Sequence, residues 1–178
     1  YMNGLARAIQ NKGGQIFNGT YVESMEGGPR AHVRTRLGYT VQADAIVVAT
    51  NTPFNDTFAI HSKQEAYRTY VLGARVPQGT IAYGLFWDTA DPYHYIRLTP
   101  SSDPDDPFDY LIVGGEDHKV GQDGEPLKHY AQLEEWIRAK VPEITSIDYL
   151  WSGQVMEPVD GLGFIGKNPG DYDNVYIA

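Results

Sequence analysis

Apolar residues near the start recur at helical spacing: Met2, Leu5, Ala8 and Ile9. They predict a helix over 1–12, ended at Gly13-Gly14, where glycine accepts left-handed backbone. Residues 15–23 read as a strand on Ile16, Phe17, Tyr21 and Val22, and Gly27-Gly28-Pro29 as a turn. From 31 to 37 the pattern alternates strictly. Ala31, Val33, Thr35 and Leu37 fall on one face and His32, Arg34 and Arg36 on the other, which predicts a half-buried antiparallel strand. Gly38-Tyr39 turns it into 40–43. The run 45–49 is apolar throughout and does not alternate. It predicts a central parallel strand, buried on both faces.

After Asn51-Thr52-Pro53 the character changes. Strand-like stretches at 67–76, 81–87, 93–98 and 110–114 are separated by Pro, Gly and Asp clusters, with an acidic loop at 101–109. Residues 128–141 predict a second helix with Tyr130, Leu133, Trp136, Ile137 and Val141 on one face, stopped by Pro142. Strands at 147–155 and 175–178 follow, and no internal repeat is visible. The expected class is α+β. Tyr1 opens directly in a helix and Ala178 stops inside an apolar strand, where a cut leaves backbone groups unpaired. An excised piece of a longer protein is therefore expected; a short natural protein with its last strand tied down is the other reading.

Composition narrows the function classes. The 178 residues are 42% hydrophobic and 21% charged, which excludes a disordered chain. There is no cysteine, so disulfides, a cysteine nucleophile and iron–sulfur ligation by this chain are excluded. A net charge of −9 argues against nucleic acid and against an acidic membrane surface as partners. No apolar run reaches the roughly 18 residues of a membrane span, and no secretory signal opens the chain. A cytoplasmic protein is expected.

Gly161-Leu162-Gly163-Phe164-Ile165-Gly166 matches the dinucleotide pattern G-x-G-x-x-G, but Pro158 precedes it and Asn168-Pro169-Gly170 follows, so no helix can open there. The five histidines lack metal-ligand spacing, Asp103, Asp105 and Asp106 do not fit a calcium loop, and no serine sits in a nucleophile elbow. Two segments carry more. The strand at 45–49 runs into Thr50-Asn51-Thr52, which exposes backbone where open α/β sheets bind phosphorylated ligands, or makes an ordinary turn. The strand at 111–113 runs into Gly114-Gly115 and then Glu116, Asp117, His118 and Lys119. Those groups suit proton transfer at a close-packed strand end, or form a solvated terminus. From the residues alone both pairs of readings stand.

At these residues the chain resembles the flavin-dependent oxidoreductases of the D-amino acid oxidase and glycine oxidase superfamily. YMNGLARAIQNKGGQIFNGTYV resembles the family's helix and adenine-side strand, and 33–51 its hairpin and returning strand. LIVGGEDHKVGQ and WSGQVMEPVDGLGFIGKNPGDYDNVYIA resemble a bacterial subgroup whose flavin domain is often followed by a Rieske domain. The resemblance implies a partial FAD-binding α/β domain at 1–55 and 157–178. It implies a substrate domain at 56–156, with a mixed or antiparallel sheet covered by a helix. It places the family's pyrophosphate loop before Tyr1 and its flavin-side loop after Ala178.

The implied activity is oxidation of a C–N bond in a small amine or amino-acid-like substrate, by hydride transfer to FAD in the full-length protein. The fragment alone would hold no FAD and be inactive, its partners being the missing segments of its own chain. A [2Fe–2S] centre would lie outside it, and no metal site is implied within it. The alternative is a non-catalytic binding domain of the same fold. The resemblance places Val22 at the adenine and Ala49, Thr50 and Asn51 near the phosphates. It makes Glu116, His118 and Tyr95 the candidates for orienting the amine or accepting its proton. Where amino-acid-oxidising relatives often place an Arg-Pro pair as a carboxylate clamp, this chain has Val155 and Met156. Either the substrate is not a simple amino acid bound in the usual way, or another cation such as Arg97 or Lys119 replaces the clamp.

Overall fold

The computed structural model describes residues 1–55 and 60–178. The chain divides into two compact units, residues 1–62 with 163–178, and residues 63–162. The expected limits were 55/56 and 156/157; residue 56 lies outside the described residues. The division falls later because two long strands pair along their whole length, ending with Gln64 opposite Pro158.

In the first unit, α1 (Met2–Asn11) ends where Gly13 takes a φ of 85°, as its glycines predict. None of its residues is buried, so the apolar stripe of Leu5 and Ile9 is not core within this unit. The strand expected at 15–23 begins only at Val22. β1 (Val22–Glu26), β2 (His32–Thr35) and β3 (Thr40–Gln42) form an antiparallel sheet in the order β1-β2-β3. Of the alternating run, Ala31 and Thr35 are buried, while Leu37 lies in the turn at Gly38 and is exposed.

β4 (Ile46–Val48) pairs in parallel with β11 (Val175–Ile177), which pairs antiparallel with β10 (Gly166–Lys167). Parallel pairing was expected; burial on both faces and a central position were not found. β4 is at the edge of its sheet, with Ile46 and Val48 buried and Val47 62% exposed. Burial on both faces needs a layer on each, and Val47 meets no second layer among the described residues. The core joins Ala31, Ile46, Val48, Ile60 and Ile177, with Met25, Val33 and Phe164 against it.

The second unit is a five-stranded antiparallel sheet in the order β6-β7-β8-β5-β9. Its strands are β5 (Gln64–Pro77), β6 (Leu85–Trp87), β7 (His94–Thr99), β8 (Phe108–Lys119) and β9 (Ser146–Pro158). α2 (Pro126–Lys140) covers one face, starting at a proline suited to the first helical turn. It ends at Val141, whose extended ψ of 78° is what a following proline demands. Alternate residues Tyr70, Leu72, Ala74 and Val76 of β5 meet Leu111 and Val113 of β8 and Leu133 and Ile137 of α2 in one buried cluster. The opposite face carries the other parity: Val71 opposite Trp151, Gly73 opposite Tyr149, and Trp87 opposite Tyr95. Trp151, Tyr149 and Trp87 are all exposed. Among the described residues no helix is long and apolar enough to cross a membrane.

Candidate functional site

β8 does not end at its glycines. It continues through Lys119, so the polar run 116–119 is itself strand and distributes over both faces of the sheet. The break is a bulge: Gly115 has a φ of 148°, Glu116 a φ of 56°, and the register to β5 shifts between Arg68 and Tyr70.

Glu116 turns toward the helix-covered face. Its Oε1 lies 2.9 Å from His94 Nε2, and His94 Nδ1 lies 2.8 Å from Asp88 Oδ2. The His94 ring is buried and stacks on Trp136 of α2 at 4.2 Å. The ring bridges the two acids, one nitrogen against each. Burial pushes the Asp88 carboxyl upward, but the backbone N–H and imidazole of His94, with the backbone N–H of Ala90, outweigh it and hold it below the ordinary range.

His118 lies on the same face. Its Nδ1 donates to the Lys119 carbonyl at 3.0 Å, which leaves Nε2 to accept from the Tyr70 hydroxyl at 2.9 Å. Its ring stacks on His129 of α2 at 4.6 Å, and His129 Nε2 donates to Asp123 at 3.0 Å. The polar atoms of Glu116 and His118 are thus engaged beneath the helix, and neither residue is a solvated terminus.

Asp117, between them, turns to the open face. Both its carboxylate oxygens are buried and neither has a hydrogen-bond partner. Tyr95 from β7 lies flat over Gly114, so closely that a Cβ there would be 2.1 Å from its ring. Tyr93 stacks beside Tyr95 with 6.4 Å between ring centroids. Burial, then the charge of Asp117, pushes the Tyr93 hydroxyl up to about 12 and raises Tyr95 in the same order. The approach of the Tyr93 hydroxyl to Asp117 as a donor raises that hydroxyl further, although the pair falls short of full hydrogen-bond geometry. The buried hydroxyl of Thr69 acts against the rise at Tyr95 as a donor toward it, short of full hydrogen-bond geometry. The structure therefore separates the three expected residues: Tyr95 is on the open face, and Glu116 and His118 are on the covered one. Asp117 and Tyr93 were missed, because only the register of β7 against β8 brings them together. Of the substitute cations, Lys119 is bonded to Glu65, while Arg97 is exposed.

In the first unit, Ala49, Thr50 and Asn51 follow the carboxyl end of β4 and are exposed. Asn51 has a φ of 65°, and Thr50 Oγ1 donates to the Thr52 carbonyl at 2.8 Å. Val22 opens β1 at the edge of its sheet and is 36% exposed. Ala49, Thr50 and Asn51 thus form an exposed turn beyond a parallel strand, and Val22 lies at a sheet edge among the described residues.

The family model for FAD-dependent oxidoreductases of the DAO type matches residues 1–178. YhfW of Bacillus subtilis (strain 168), named as a Rieske 2Fe-2S iron-sulfur protein, is 26% identical over 179 residues, covering 100% of this chain and 34% of that protein. The chain thus spans about a third of that relative's length. Glycine oxidase from Geobacillus kaustophilus superposes with a TM-score of 0.71 at 20% identity, over 97% of this chain and 45% of that one. Iminodiacetate oxidase from Chelativorans sp. BNC1 gives 0.60 at 14% identity, over 96% and 46%.

Proposed function

The chain belongs to the DAO family of FAD-dependent oxidoreductases, and from that premise we propose that its full-length protein oxidises a C–N bond of a small amine. The observation that carries the reading is the family match along the whole chain. The names of the two superposed oxidases point to the same bond type.

The chemistry FAD supplies when bound is acceptance of a hydride from the carbon beside the nitrogen. In this reading the backbone of Val22 holds the adenine end, and the turn at Ala49, Thr50 and Asn51 holds the phosphates. Substrate enters over the open face of the second unit, because α2 closes the other. Tyr95 lines that face. Glu116 and His118 serve as positioning residues: their bonds to His94 and Tyr70 hold the bulge that turns Asp117 outward. With Val155 and Met156 in place of an Arg-Pro pair, substrates need no carboxylate. A [2Fe–2S] centre in a Rieske domain outside these residues belongs to the same proposal, on the strength of the YhfW name.

The test is anaerobic mixing of the purified full-length flavoprotein with a panel of primary, secondary and tertiary amines. Bleaching of the flavin band by at least one amine is expected. A flavin that no amine reduces, while a 2-hydroxy acid does, would sink the reading.

A further inference from the structure

A carboxylate removed from water and given no donor is costly. The effective penalty in proteins is several kcal/mol per ion unless a counter-charge or hydrogen bonds offset it. Asp117 is close to that position: both oxygens are buried, neither makes a hydrogen bond of full geometry, and the Tyr93 hydroxyl is the donor that approaches them. Its neighbours on β8 are anchored on the opposite face, Glu116 by His94 and His118 by Tyr70, so the strand holds Asp117 where it is. The walls around it are aromatic. Tyr95 lies over Gly114, Tyr93 stacks beside it, and Tyr93 is 40% exposed. The one lysine nearby in sequence, Lys119, is paired with Glu65.

An anion between π-faces is a receptor for a weakly hydrated organic cation. Ring faces attract the charge, and the carboxylate supplies the counter-ion and accepts N–H donors. We infer that Asp117, walled by Tyr93 and Tyr95, binds the amine of the ligand as its cation. The inference rests on the amine-oxidation reading and names how the amine is held. The exposed Tyr93 ring is the part that moves aside to admit it. The buried Thr69 hydroxyl, which interacts with Tyr95, is a further polar group within this sheet face.

The test uses the full-length flavoprotein and three ligands of one shape: benzylammonium, benzyl alcohol and benzoate. Binding is read by the shift in unfolding temperature and by perturbation of the flavin spectrum. Benzylammonium should bind most tightly and benzoate least. Asp117→Asn should weaken benzylammonium by about tenfold or more, the loss expected for a charged hydrogen bond. It should leave benzyl alcohol binding and FAD content unchanged and raise the unliganded unfolding temperature, because an uncompensated buried charge is removed. Tyr93→Leu should reduce the preference for benzylammonium over benzyl alcohol, and Asp105→Asn, in the acidic loop, should change nothing.

Wild-type binding of benzoate as tight as benzylammonium would overturn the inference without any variant. Equal benzylammonium affinity in Asp117→Asn and wild type would do the same. The two readings fail separately. If amines reduce the flavin with a dissociation constant indifferent to Asp117, the cation site is wrong and oxidation stands. If benzylammonium binds through Asp117 but no amine reduces the flavin, the site stands and the oxidation reading falls.

Discussion

His94 is held at both ring nitrogens by acids from different segments, Asp88 before β7 and Glu116 at the bulge of β8, and stacks on Trp136 of α2. Removing the ring leaves two carboxylates facing a cavity. Breaking a buried pair by deleting one partner typically costs about 3–5 kcal/mol. His94→Ala is expected near the lower end, since Asp88 is partly solvated. Urea unfolding measures it, and a loss below about 1 kcal/mol would mean that water replaces the imidazole. Asp88 adds a pH signature. Its folded-state pKa is depressed, so its contribution is complete above the unfolded value of about 3.9 and is lost as pH falls through the folded value. The stability gap between wild type and Asp88→Asn should be wide at pH 7 and should narrow at acid pH, as the medium falls through the lowered folded value. A gap of equal size at both would refute the depressed pKa.

Among the elements, β8 decides most. Its bulge lets Glu116 and His118 share the helix side while Asp117 takes the open side. Its Gly114 lets the Tyr95 ring lie on the strand. A methyl group at 114 would meet that ring at 2.1 Å, so Gly114→Ala should cost roughly 1–3 kcal/mol, the usual range for overpacking. Tyr95→Ala should relieve most of it, because the clash is with a side chain. A double-mutant cycle by thermal unfolding should show strong coupling, and additive effects would place the glycine's cost in the backbone instead.

At the scale of the whole chain, residues 63–162 form one continuous stretch with their own core under α2. About 100 residues with a separate core is a usual size for an autonomous domain. That stretch, expressed by itself, should unfold in one cooperative transition. A broad, non-cooperative melt would show that its core depends on the rest of the chain. The first unit is expected to behave differently towards flavin. The turn after β4 and the edge of β1 supply only part of a dinucleotide's contacts, so the 178-residue chain should purify without flavin absorption while the full-length protein is yellow. Stoichiometric FAD on the 178-residue chain would overturn this.

Periodicity and punctuation were enough to place both helices and most strands, because helix and strand repeats are local properties of the backbone. Gly13, Gly28 and Gly38 ended or turned segments where their composition says they should. The polar run after Gly114 was also legible as a place of interest. What it does chemically was not, since the face each residue occupies depends on a one-residue bulge. His94 and Tyr93 read as ordinary residues until β7 pairs with β8. The run 45–49 misled for the same reason. Apolar residues report that a strand can be buried on both faces, but only the neighbouring layers decide that it is. Local sequence thus determined most of the elements, though not where β1 begins or where β8 ends. Tertiary pairing alone decided which groups meet, because contacts between distant segments are set by register and packing and leave no local pattern to read.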